Sequence, residues 1–303
     1  MRAAFLGTPA AAVPALAALL DVADVPVVVT RPDRPRGRSG RPTPPAVKVS
    51  ALEWGLRVVQ PDTGAELGAA LAAADLDVGV VVAYGRILRP DVLASTRVGF
   101  VNIHFSLLPR WRGPAPVERA ILAGDDATGV TLMWLDEEMD TGPIIGAIET
   151  PIADDETGGS LTGRLSHLGA VLLADALPDF VAGSRHPADQ IETGATHAAM
   201  LSRDEGRLDA TLPADVLDRI VRALWPRPGA WVSAEGLRLK VLDSATTDDP
   251  TTPGMIAAVN GMPVLGTPEG GLALIQVQPE GGRPVAGPDW MNGRRGAAAR
   301  VDP

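Results

Sequence analysis

The first hundred residues alternate short, uniformly apolar runs with stretches of helical period. The runs are "AAFL" (3–6), "VPVVVT" (25–30), "LRVVQ" (56–60), "DVGVVVAYG" (77–85) and "GFVNIH" (99–104). Between them, "PPAVKVSALEWG" (44–55) and "GAELGAALAAA" (64–74) place apolar residues at helical spacing. Apolar strands that alternate with helices predict a parallel sheet covered on both faces, hence a doubly wound, mostly parallel, Rossmann-like α/β fold. Ligands of such sheets bind beyond the carboxyl ends of the strands. "TGVTLMWL" (128–135) and "PIIGAIETPI" (143–152) predict further strands, and 159–183 predicts a long amphipathic helix. The pattern weakens over 186–203. A helix follows at 213–224, then short strand-like runs between glycine, proline and asparagine turns, which predict a smaller OB-like antiparallel barrel. The expected division is residues 1–186, a linker at 187–203, and 204–303. Trp225 and Trp231 are expected in the barrel core, and the tail "RRGAAARVDP" is expected to fray.

The N-terminus shows an early Arg2, an apolar stretch and Ala-x-Ala triplets, as a secretory signal would. Gly7-Thr8-Pro9 and Pro14 interrupt it, so a buried strand turning into a helix is the expectation. No apolar run reaches the roughly 18 residues of a bilayer-spanning helix, and no membrane partner is expected. Of 303 residues, 46% are hydrophobic, enough for a large core. Cysteine is absent, which removes disulfides and thiolate metal sites and fits a reducing cytoplasm. With only four histidines, no metal site is expected. A net charge of −10 confines any nucleic-acid contact to a local patch. Nothing in the sequence demands more than a monomer.

Residues two apart on a strand share a face, so Asn102 and His104 project together at the end of "GFVNIH". Burying an amide and an imidazole side by side is unfavourable without partners, and a reactive site explains the pair better than a core position does. A third candidate is Asp140 in "LDEEMDTG", just before the turn Thr141-Gly142-Pro143; spacing alone does not bring it to His104. Amide, imidazole and carboxylate together suit direct acyl transfer between two bound substrates. The amide stabilises the developing oxyanion, an effect of about 2.7–4 kcal/mol. An imidazole changes charge near neutral pH and can move the amine's proton. A Ser-His-Asp triad through Ser106 competes, but the chain lacks a Gly-x-Ser-x-Gly elbow there.

"NIHFSLLPRWRGPAP" (102–116), followed by "DTGPII" (140–145), resembles the folate-dependent formyltransferases. The resemblance runs from "FLGTP" (5–9) to "NGRR" (292–295), and "FLGTP" lacks the Gly-x-Gly-x-x-Gly of dinucleotide enzymes. It implies that 10-formyltetrahydrofolate is the formyl donor and that Asn102, His104 and Asp140 are catalytic. It further implies folate contacts from Tyr84, Gly85, Ile87 and Leu88, and from the turn Ser106, Leu107, Leu108 and Pro109. Phe105 stands where that pattern has glycine or proline, with consequences for the shape of the folate pocket. Residues 31–48 carry Arg31, Arg34, Arg36, Arg38, Arg41 and Lys48 against Asp33 alone, a local +5. Charge of this kind in a Pro/Gly loop suits either a phosphate backbone or plain solvation. The branch of the family that acts on initiator methionyl-tRNA has a matching loop, which implies tRNA contacts from Arg36, Arg38, Arg41 and Lys48. "SRDEGRLD", "LWPRPGAW" and "MNGRR" resemble that branch's C-terminal segment, a second tRNA surface. A sugar-nucleotide amine is the alternative acceptor.

Overall fold

The computed structural model describes residues 1–35, 40–249 and 251–302. They form two compact units, one of Met1–Pro116, Ala127–Pro151 and Thr162–Ala198, the other of Val117–Asp126, Ile152–Leu161 and Ala199–Pro303.

In the first unit, strands β1 (Arg2–Gly7), β2 (Asp24–Val29), β3 (Val58–Val59), β4 (Val78–Val82) and β5 (Phe100–His104) fall on the five expected apolar runs. With β6 (Ala127–Trp134) and β7 (Ile144–Pro151) they form one sheet in the order β3-β2-β1-β4-β5-β6-β7. The first five strands pair in parallel, whereas β6 runs antiparallel to both its neighbours. All five residues of β4 are buried, as a strand covered on both faces requires. The chain first winds outward from β1 to β2 and β3, then crosses back to β4 on the other side of β1. This reversal is the topological switch point of an open α/β sheet.

Helix α1 (Val13–Val22) takes Pro14 in its first turn, where the missing N–H has no helical partner to lose. Helices α2 (Ala46–Glu53) and α3 (Gly64–Ala72) follow; Thr63 caps α3 by accepting from the Glu66 N–H at 3.2 Å. After α4 (Pro116–Ala123) comes α5 (Gly158–Ala182), which corrects one expectation. It is long and apolar enough, by length and composition, to cross a membrane, with a mean hydropathy of 1.4 over 18 residues. Half of that window is buried inside the protein, with Leu161, Leu165, Leu173 and Leu177 inaccessible, the pattern of a core helix. The weakly patterned stretch beyond it is tied to the first unit: Ile144 and Ala188 exchange both main-chain hydrogen bonds at 2.7 and 2.8 Å, and Ala198 N–H reaches Arg112 O at 2.7 Å.

In the second unit, α6 (Ala214–Ala223) packs Leu217 and Val221 onto a curled antiparallel sheet. Its strands are β8 (Ala230–Ala234), β9 (Leu237–Thr247), β10 (Met255–Val259), β11 (Met262–Gly266), β12 (Gly271–Pro279), β13 (Val285–Ala286) and β14 (Ala299–Arg300). The order is β8-β9-β12-β11-β10-β14, with β13 on β12. The two edges meet through Asp302 N–H to Ser233 O at 2.9 Å and Glu235 N–H to Arg300 O at 3.1 Å, so the sheet curls into a small barrel. The tail is therefore not frayed: the Asp302 carboxylate accepts from Ser233 Oγ at 2.6 Å and Gly236 N–H at 2.9 Å. Trp225 and Trp231 are half-buried rather than core residues. The Trp231 ring lies under the Arg238 guanidinium at 4.0 Å, a cation–π contact.

Candidate active site

Strand β5 ends at His104, one strand from the switch point. Asn102 pairs with Val81 of β4 on one side and Met133 of β6 on the other, which fixes its depth at the carboxyl edge of the parallel strands. Its side chain is half-buried and makes no hydrogen bond to the described residues, so its amide is available to a ligand. On the opposite face, Ile103 packs against Gly169 of α5; Phe105 lies near the same glycine.

His104 is 5% exposed, and both ring nitrogens have neighbours. Nε2 lies 2.8 Å from Trp111 O. A carbonyl only accepts, so the ring carries its hydrogen at Nε2 and presents its Nδ1 edge elsewhere. That edge faces Asp140, with Nδ1 to Oδ2 at 3.6 Å. Once the ring also carries a proton at Nδ1 this is an ion-pair distance, and a closure of about 0.5 Å would give an Nδ1–H to Oδ2 hydrogen bond. The structure thus brings together two residues 36 positions apart whose meeting the sequence left open.

Three features hold Asp140 there. Gly113 N–H donates to Oδ2 at 2.8 Å. Gln190 Nε2 donates to the carbonyls of Asp140 and Gly142 at 2.9 and 2.8 Å. Gly142 passes so close to Trp134 O that a Cβ would sit 1.8 Å from it, so no other residue fits. Asp140 itself has φ 57°, and Trp111, which faces the ring, has φ 63°. Such left-handed conformations cost on the order of 1–3 kcal/mol in non-glycine residues and concentrate at functional sites.

Gln190 lies in the stretch read as a linker, and sequence reasoning missed it. Its Oε1 accepts from Arg112 Nε at 3.0 Å, and Arg112 also pairs with Glu192 at 2.9 Å, holding that carboxyl below its usual range. No periodicity marks Gln190; its role follows from the chain returning to this strand end fifty residues after Asp140.

The expected folate contacts divide. Gly85 is exposed and Ile87 is 71% exposed, and the main chain of 85–88 makes no hydrogen bond to the described residues. Its amides and carbonyls are free to meet the edge of a ligand. Tyr84 and Leu88 are instead buried in the core cluster. Ser106 donates to Arg110 O at 2.6 Å, Leu108 N–H donates to Thr131 Oγ1 at 3.1 Å, and Leu107 packs over Gly129. The turn 106–109, including the half-buried Pro109, is thus built largely from internal contacts.

Of the basic stretch, Arg36 and Arg38 lie outside the described residues, and Arg41 is exposed. Lys48 is committed within the protein: Nζ donates to both carboxylate oxygens of Asp33 at 2.9 Å and to Gln60 at 2.7 Å. Hydrogen bonds from Gln60 and then Lys48 hold the Asp33 carboxyl below its usual range. Three acceptors use all three ammonium donors, so Lys48 anchors the root of the loop. Residues Arg34–Pro35 and Pro42–Thr43 pair as a short hairpin stem above it. Among the described residues no cluster of three metal-ligating side chains occurs.

Residues 1–177 match the formyl transferase family, and 200–295 match the formyl transferase C-terminal domain. The chain is 49% identical over 299 residues to the methionyl-tRNA formyltransferase of Halorhodospira halophila, covering 97% of this chain and 96% of that one. It is 45% identical over 300 residues to the enzyme of that name from Chloroflexus aggregans, covering 97% of each. Among solved structures, an N-formyltransferase from Helicobacter canadensis in complex with folinic acid and dTDP-3-aminofucose superposes with a TM-score of 0.68 at 16% identity, over 90% of this chain and 98% of that one. HypX from Aquifex aeolicus in complex with tetrahydrofolic acid gives 0.66 at 18% identity, over 96% and 47%. At such identities the likeness concerns the fold alone.

Proposed function

The chain belongs to the formyl transferase family, and we propose that it transfers the formyl group of 10-formyltetrahydrofolate to the free α-amino group of initiator methionyl-tRNA. The observation that carries this reading is the unpartnered Asn102 amide on the same strand end as the His104–Asp140 pair. Full-length kinship to methionyl-tRNA formyltransferases supports the acceptor; the sugar formyltransferase shares the fold at 16% identity. The reading places the protein in the cytoplasm, where translation starts, and needs a single copy of the chain.

Folate, when bound, supplies a formyl carbon attached to a nitrogen that can leave. The pterin ring is assigned to the open main chain of 85–88 and the exposed Ile87. Asn102 donates to the formyl oxygen as negative charge builds there, worth about 2.7–4 kcal/mol for one such donor. The Nδ1 edge of His104, with Nε2 occupied by Trp111 O, takes the proton the amine loses on attacking the formyl carbon and passes it to the folate nitrogen as the old C–N bond breaks. Asp140 stabilises the charged ring, and the Gly113 N–H holds its carboxylate in place. Arg36, Arg38 and Arg41 are assigned to tRNA phosphates, with Lys48 setting the loop's root.

Incubation with 10-formyltetrahydrofolate and charged initiator tRNA yields formyl-methionyl-tRNA on this reading, whereas a dTDP-amino sugar accepts nothing. Absence of product with competent substrates would overturn it.

A further inference from the structure

The first unit holds a cavity of about 420 Å³ at the switch point of its sheet. Its walls come from residues that follow three parallel strands: Thr8 after β1, Arg31 and Arg34 after β2, and Tyr84 after β4. None of its lining residues is acidic. Arg31 is half-buried and makes no ion pair with the described residues, and its Nη1 is buried without a hydrogen-bond partner. Arg34, at the exposed rim, has no ion pair there either. The one acid of this segment, Asp33, is taken up by Lys48 and Gln60. Tyr84 is 1% exposed, and its hydroxyl lies beside the Arg31 and Arg86 guanidinium groups without a well-formed hydrogen bond, so it offers Arg31 no counter-charge.

A half-buried guanidinium without counter-charge is unfavourable unless an anion completes it. Open α/β sheets take ligands at this place. We infer that the cavity is a phosphate subsite, in which Arg31, with Arg34 at the rim, holds the last phosphodiester of the amine-bearing substrate. The inference rests on the tRNA reading above. Distance supports the choice of phosphate. Asn102 pairs with Val81, and the cavity wall begins at Ala83. One strand spacing and two residues of rise separate them by about 8 Å. A terminal ribose and its aminoacyl ester bridge the gap from His104 to this near wall; Arg31 follows β2, three strands from β5, and lines the far side, so its long side chain must extend across the cavity to meet the phosphate.

The test compares charged initiator tRNA with the same tRNA carrying a neutral methylphosphonate at the last internucleotide linkage. In the wild-type protein, kcat/KM falls about 10- to 100-fold, the range of one charge-assisted hydrogen bond. Arg31→Gln shows a similar fall with normal tRNA, keeps its folate KM and Tm, and no longer distinguishes the two tRNAs. Two results would overturn the subsite: a wild-type protein indifferent to the neutral linkage, or a variant that still registers the full loss. If Arg31→Gln does not fold, the wild-type comparison stands alone. A second measurement then applies: at constant ionic strength, inorganic phosphate competes with charged tRNA and not with folate, and lack of competition counts against the subsite. Failure of the wild-type protein to formylate unmodified tRNA would instead remove the acceptor reading.

Discussion

Replacing Gln190 by alanine tests whether the Asp140 turn is held by contacts remote in sequence. The substitution removes two donors, to Asp140 O at 2.9 Å and Gly142 O at 2.8 Å, and the acceptor of Arg112 Nε at 3.0 Å. Each such bond contributes about 1 kcal/mol net. The left-handed Asp140 backbone costs on the order of 1–3 kcal/mol, so the two lost bonds are comparable to the strain they oppose. Arg112 keeps Glu192, so the fold survives, while the Asp140 turn, left with the single Gly113 N–H on its carboxylate, is held less tightly beside His104. The expected result is a fall in kcat of about tenfold, equivalent to roughly 1.4 kcal/mol in the barrier. Both KM values stay unchanged. Initial rates at saturating folate and tRNA, with Tm measured by calorimetry, give the answer. A lowered Tm with kcat intact would make Gln190 a purely structural residue and refute the reasoning.

Asn102→Ala should lower kcat by about 10²–10³ with folate affinity retained, as expected for a donor that acts on developing charge; a matching loss of folate binding would point to a ground-state contact. Burial holds the Glu118 carboxyl above its usual range. A raised carboxyl is most compatible with the fold below the unfolded value of 4.5, and that stability is lost as pH rises through the folded pKa. Glu118→Gln should therefore raise Tm at pH 7, with the gain vanishing in acid; an equal gain at every pH would contradict the burial argument. Lys48→Gln should lower Tm yet leave the salt dependence of tRNA binding unchanged, whereas a lysine that contacts phosphate would reduce the log–log slope by about one.

Much of the first unit was legible because both strand signals are local. Uniformly apolar runs marked the buried parallel strands, and a period of two put Asn102 and His104 on one face. A turn signature points to Asp140, but its approach to His104 depends on Gly113 and Gln190, which no local pattern links to it. Lys48 reads as one more cation of a basic loop until Asp33 and Gln60 are seen on its ammonium group. The tail is expected to fray from its sequence; its anchor is a carboxylate received by β8 and the turn after it. Helix α5 shows the reverse, since its apolar content reflects a position inside the core. Arg36 and Arg38 remain assigned through the resemblance alone.

The interleaving of the two units has a practical consequence for dissecting the molecule. The polypeptide passes from one to the other at 116/117, 126/127, 151/152, 161/162 and 198/199. No single proteolytic nick or stop codon can therefore release either half whole. A fragment ending at 198 would carry two orphaned excursions, and a ribosome must finish the last hundred residues before the earlier ones assigned to that partner can settle.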